Sequence, residues 1–187
     1  MNTPLKRSVK PALNLFPILA MVILLAGCGG IKPGSVKSGK KLFESFFVGE
    51  DGTQYFIKPL SFLSNDSKSL ARIDFTFRYK NEVKDSAIVN FSIVDEKIFK
   101  SIDSISIFNN NSKVSVRDVK FLFAEKGKKT FNSRFSVRIP LASAVSLFDD
   151  NAWGFVFYSG LTHTSYSPSK KSKKSIERLE DNVFILF

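Results

Sequence analysis

From residue 41 onward the chain alternates apolar and polar residues with a period of two. In "ARIDFTFRYK" (71–80), Ile73, Phe75, Phe77 and Tyr79 share one phase; Arg72, Asp74, Thr76, Arg78 and Lys80 take the other. Successive strand side chains point to opposite faces, so this segment predicts a strand with one face on a core and one toward water. "KLFESFFV" (41–48) and "TQYFIKPLSF" (53–62) flank the Gly-and-acid turn "GEDG" (49–52), which predicts a hairpin. Pro59 has no N–H to give a ladder and places the second of these strands at an edge or a bulge.

The pattern continues. "SAIVNFSIV" (86–94) puts Ala87, Val89, Phe91 and Ile93 on one face, and near 101–108 Ile105 and Ile107 alternate with Ser104 and Ser106. The apolar phase then switches around Arg117-Asp118, between Val114 and Val116 on one side and Val119, Phe121 and Phe123 on the other. That switch predicts a β-bulge or two short strands. "TFNSRFSVRI" (130–139) and "WGFVFYSG" (153–160) alternate again, and "NVFILF" (182–187) reads as a closing strand. "PLASAVSLF" from Pro140 predicts two helical turns, since proline is tolerated in the first turn. "LTHTSYSPSKKSKK" (161–174) reads as a polar, basic loop, followed by a short helix around Ser175–Leu179. Eight or nine short strands with turn signals between them predict an all-β domain over 42–187. Its expected form is an antiparallel β-sandwich, immunoglobulin-like or jelly-roll-like, with one short crossover helix. Pattern alone does not separate a sandwich from a barrel.

Residues before 41 follow a different rule. Lys6, Arg7 and Lys10 precede an apolar run, Ile18–Ala26, with no acid before Glu44. The run has about half the roughly 20 residues a membrane-spanning helix needs. A basic segment, a short apolar segment and small residues at its end have the form of a secretory signal peptide. Leu25-Ala26-Gly27-Cys28 resembles the bacterial lipobox, in which a leucine and two small residues precede a cysteine. The resemblance implies that residues 1–27 are a lipoprotein signal peptide and that Cys28 becomes the first mature residue. It also implies diacylglycerol and fatty acyl chains, palmitate among them, on Cys28; the residues themselves lead us to expect no other cofactor. Attachment through several chains would be lasting without a transmembrane helix, each buried methylene contributing about 0.8 kcal/mol. Gly29 beside the cysteine resembles the signal for the outer membrane. Residues 28–41, rich in Gly, Ser, Pro and Lys, predict a flexible tether.

Composition narrows the remaining functions. Without the leader's Lys6, Arg7 and Lys10 the chain keeps 25 Lys/Arg against 17 Asp/Glu, a net charge of +8. Cys28 is the single cysteine, so no intramolecular disulfide is available. One histidine, His163, is a poor basis for a serine-histidine-acid triad or a transition-metal site. The acid pairs Glu50-Asp51, Asp95-Glu96 and Asp149-Asp150 fall at turns, where Asp, Asn and Gly are favoured, and match no calcium-loop spacing. Two basic clusters remain as candidate anion- or partner-binding sites: Lys126, Lys128 and Lys129, and Lys170, Lys171, Lys173 and Lys174. Tyr158 and Tyr166 near the second cluster would suit a sugar-binding face. A secretory leader sets aside nucleic acid as the partner. The expectation is a non-enzymatic, membrane-anchored envelope lipoprotein that binds or scaffolds a partner protein or envelope component. The alternatives are a lipopolysaccharide- or polysaccharide-binding lipoprotein and, third, an envelope hydrolase.

Overall fold

The computed structural model describes residues 42–80 and 86–187. Cys28 and the predicted leader and tether lie outside the described residues. In chain order the elements are β1 (Phe43–Phe47), β2 (Thr53–Ser64), β3 (Leu70–Tyr79), β4 (Ser86–Asp95), β5 (Ser104–Phe108), β6 (Lys113–Val116), β7 (Lys120–Lys126) and β8 (Phe131–Pro140). These are followed by helix α1 (Leu141–Phe148), β9 (Gly154–Ser159), β10 (Thr162–Pro168) and helix α2 (Lys170–Asn182). Short 3-10 turns occupy Gly49–Asp51 and Phe184–Leu186.

The fold is mostly antiparallel β, a curled half-barrel sheet with two helices. Hydrogen bonds join the strands in the order β6-β5-β9-β10-β2-β3-β4-β8-β7, with β1 on β2. In place of two separate sheets there is one sheet of ten strands. β2 runs the length of its neighbours and serves two partners on one edge. β1 pairs with Thr53–Ile57 and β10 with Phe62–Ser64. Between them the register with β3 shifts from Ile57 to Leu60, and Pro59 sits in that irregular stretch, where its missing N–H costs no ladder bond. The β1–β2 turn closes on Gly52, whose φ of 87° and close approach to the Tyr79 carbonyl leave no room for a Cβ.

The apolar phase of the strands forms the concave face. Ile73, Phe75, Phe77, Ala87, Val89, Phe91, Ile93, Phe135, Val137 and Ile139 are all buried. The curl is set by where these rings meet. Phe91 on β4 stacks on Phe135 of β8 (centroids 5.3 Å) and meets Phe155 of β9 edge-on at 5.3 Å. In sheet order β4 and β9 are four strand steps apart, about 19 Å on a flat sheet. Only a sheet curled over its own core brings those rings together. β6, at one end of the order, also comes into contact with β8 near the other.

The two helices close the concave side. α1 buries Leu141, Ala144, Leu147 and Phe148, and Phe148 stacks on Phe184 (3.9 Å) and meets Trp153 edge-on (4.7 Å). Phe187 lies on Tyr79, Phe77 and Tyr55, at 4.3, 5.6 and 6.0 Å.

The hairpin, the Pro59 irregularity and the helix after Pro140 match their expectations. Of the two forms expected of the phase switch at 117–118, the structure has the two short strands: β6 and β7 pair with different strands and lie at opposite edges of the sheet. Three readings are corrected. Residues 161–174 are not a loop. They hold β10, entered by a two-residue turn with Gly160 at φ 59°, and the first turns of α2. The late helix spans 13 residues rather than five, so there are two helices and not one. The segment 182–187 is the helix end and a 3-10 turn, because Val183 N–H bonds back to the Leu179 carbonyl.

Phe91 ties β4, β8 and β9 together, so Phe91→Ala should destabilise the domain by about 3–5 kcal/mol. The check is a lowered denaturant midpoint with an unchanged slope.

Candidate functional site

The two predicted basic clusters have different settings. Lys126 ends β7, and Lys128 and Lys129 stand exposed in the turn to β8. Lys170, Lys171, Lys173 and Lys174 occupy the exposed side of α2's first five residues, while Ser172, Ser175, Ile176 and Leu179 face the core. The helix starts there because Ser169 caps it: its hydroxyl accepts from Ser172 N–H at 3.2 Å. Ser172 Oγ in turn accepts from Ser61 N–H of β2 at 2.8 Å, which fixes the helix to the sheet. The register does not unite the clusters. One follows β10, the other ends β7, and β2, β3, β4 and β8 lie between those strands.

The charge order on α2 opposes its dipole. A helix favours acids at its start and bases at its end. Here the first turn has no acid, and Glu177, Glu180 and Asp181 come in the second half. None of the four lysines forms an ion pair among the described residues. The positive potential at this end is therefore set by both the side chains and the helix.

The other candidates are spent locally. His163 on β10 is exposed and faces Tyr158 across the β9–β10 ladder at 5.9 Å. Asp150 accepts from Ala152 N–H at 2.7 Å, and this bond leads the causes that hold its carboxyl below the usual range. Asn151 donates to Glu177 Oε1 at 2.6 Å. Asp95 accepts from Lys97 N–H at 2.8 Å. These acids close turns. Among the described residues no group of three or more His, Cys, Asp and Glu is arranged to hold a metal ion, and no helix is long and apolar enough to cross a membrane.

The sugar-binding face expected of Tyr158 and Tyr166 is corrected. Tyr158 is exposed in the outward phase of β9, whereas Tyr166 is 2 % exposed in the core, against Phe155 and Phe157. Its hydroxyl lies 2.8 Å from Ser69 Oγ. Burial pushes the Tyr166 phenol up to about 12, the Ser69 bond pulls the other way, and Asp95 and Asp66 add to the rise.

Sequence reasoning passed over the convex face of β2, β3, β4 and β8. Its middle is a closed polar network: Arg134 donates to Asp74 Oδ2 at 2.8 Å and to Ser92 Oγ at 3.0 Å, and Asn90 donates to Asp74 Oδ1 at 3.1 Å. Toward the β1 end the face changes character. Phe56, Thr76, Ile88 and Arg138 form one cross-strand row, and with Val48 and Arg78 they line an open cleft of about 340 Å³. The available signal was the polar phase of β3 and β8, which carries Arg78 and Arg138 beside an outward Phe56 and Ile88.

No family model, curated protein or solved structure matches the chain.

Tyr166 gives a test of this packing. Its folded pKa lies above the unfolded value of about 10, so its contribution to stability is full below pH 10 and is lost as pH rises through about 12. Alkaline spectrophotometric titration should show one phenol ionising near 12. That step should be absent from Tyr166→Phe.

Proposed function

We propose that this is a lipid-anchored protein of the bacterial cell envelope, fastened through Cys28 to the outer membrane. In this reading its β domain binds or scaffolds an envelope partner without catalysis. The observation that carries it is Leu25-Ala26-Gly27-Cys28 at the end of a basic-then-apolar segment. Tethering holds the domain at a surface and raises its effective concentration there, so a modest contact suffices for recruitment. The domain is read as sandwich-like: a doubled sheet keeps its core to itself and leaves edges, turns and the convex face for contact.

A second reading is favoured by α2. Four lysines set against the helix dipole weaken the helix, and none of them forms an ion pair among the described residues. An anionic glycan or glycolipid on that face would offset this, which makes lipopolysaccharide or polysaccharide the alternative partner.

Metabolic labelling and capture separate these readings. The native chain should take labelled palmitate, and Cys28→Ser should yield an unlabelled, uncleaved precursor; normal labelling of that variant would refute the anchor. Pull-down from solubilised membranes should recover a reproducible protein partner. Neutralising Lys170, Lys171, Lys173 and Lys174 together to Gln should leave that partner bound. If it instead abolishes salt-sensitive glycolipid capture, the partner is the anionic glycolipid.

A further inference from the structure

The convex-face cleft differs from the rest of its face in depth, polarity and charge. Its depth comes from side-chain size. Directly paired residues on neighbouring strands stand about 4.5–5.5 Å apart at Cβ, so in the row Phe56–Thr76–Ile88–Arg138 the small Thr76 leaves a trough between larger neighbours. The β1 hairpin raises one wall: Val48 lines the cleft and Phe46 packs edge-on against Phe56 at 5.7 Å. Its polarity is mixed. Phe56 is 41 % exposed, an apolar ring next to the middle rows of the face, which carry Arg72, Asp74, Asn90, Ser92 and Arg134. At about 340 Å³ the cleft falls within the range of small-ligand sites, about 300–1,000 Å³.

Its charge is decided by comparing two arginines on β8. Arg134 meets a carboxylate, Asp74, at 2.8 Å and is half-buried. Arg138 is exposed, and its one hydrogen bond among the described residues is a long one, 3.4 Å to Ser86 Oγ. Among the described residues, none that lines the cleft is acidic. Glu44, opposite Phe56 on β1, is engaged by Lys58 at 3.5 Å, and Asp74 is taken by Arg134 and Asn90. Arg78 enters the same cleft with its direction set, since its Nε donates to Gln54 Oε1 at 3.3 Å and Gln54 Nε2 donates to the Phe77 carbonyl at 2.8 Å. Guanidinium groups recognise planar carboxylates and phosphates by paired N–H donors.

We propose that this cleft is a binding site for a small anionic amphiphile: a carboxylate or phosphate held at Arg138, with an apolar ring or chain laid in the trough against Phe56 and Ile88. The site is independent of the anchor at Cys28 and of the α2 lysines.

The full-length protein in phosphatidylcholine nanodiscs, titrated calorimetrically, tests this with three matched probes: 4-phenylbutyrate, 4-phenylbutyl phosphate and uncharged 4-phenylbutanol. The two anions should bind saturably and the alcohol at least tenfold more weakly. Arg138→Gln should weaken the anions about tenfold and leave the alcohol unchanged, while Arg138→Lys, which keeps the charge but not the fork, should fall between. Ile88→Ser should weaken all three. Adding phosphatidylglycerol to the nanodiscs distinguishes the source: competition with the anions assigns a lipid headgroup, and its absence assigns a free acid or phosphate ester. No saturable binding of either anion would overturn the proposal. So would unchanged binding by Arg138→Gln, or binding lost when the four α2 lysines are changed to Gln.

Discussion

Everything in this domain depends on the meeting of Phe91 with Phe155 across a curled sheet. An antiparallel sheet of this width, left open, would expose a large apolar face. Here the two ends of one sheet supply the cover for each other, with α1, α2 and the 3-10 turn at Phe184–Leu186 filling what the curl leaves open. Phenylalanine suits the task. A ring reaches farther than a branched aliphatic side chain and packs edge-on or offset at centroid distances of about 4.5–7 Å, so rings from strands far apart in the order meet without the strands themselves pairing. A domain with no disulfide among its described residues and few ion pairs is held by this apolar layer, and the polar network around Asp74 and Arg134 stays outside it.

The same curl sorts the surface. The concave phase is used up by the core, which leaves the convex phase of β2, β3, β4 and β8 as the broad face available for contact. Most of that face is polar and self-satisfied. The β1 hairpin, laid on the first half of β2, breaks the pattern by bringing Val48 and Phe46 alongside Phe56. The irregularity at Pro59 lets β2 change partners from β1 to β10 on one edge. A backbone feature that reads as a local exception in the sequence thus marks where β2 changes partners.

Legibility followed the strength of alternation. β3, β4 and β8 were plain in the sequence because their inward positions are almost all Ile, Val and Phe, and these are buried except at the strand ends, where Tyr79 and Phe131 are half-buried. β10 was hidden because its buried positions are Tyr166 and Pro168 among Ser and Thr, which also describes a loop. α2 was shortened for a similar reason. Its inward residues 172, 175, 176 and 179 keep helical spacing, but two of the four are serines: Ser172 holds the cap and the sheet, and Ser175 Oγ donates back to the Lys171 carbonyl. The phase switch at 117–118 was seen, yet no local pattern says that β6 and β7 part to opposite edges. That is set by which strands they pair with far along the chain. The lysines of α2 were found from charge alone, while the Arg138 cleft required register, since Phe56, Thr76, Ile88 and Arg138 come from four strands.

Two kinds of cation on this domain therefore imply two kinds of contact. Lys170, Lys171, Lys173 and Lys174 stand exposed on a helix, each a hydrated point charge on a flexible stem. Such groups follow a diffuse anionic surface, lose strength within a Debye length of about 8–10 Å, and discriminate little between anions. Arg78 and Arg138 are planar forks on a rigid sheet beside an apolar trough, one of them aimed through Gln54. That arrangement selects by shape and by paired hydrogen bonds, and its apolar part is indifferent to salt. Ionic strength thus separates the two surfaces. Contacts made through the helix fade as salt rises, while an amphiphile in the cleft keeps the share of its affinity that comes from Phe56 and Ile88.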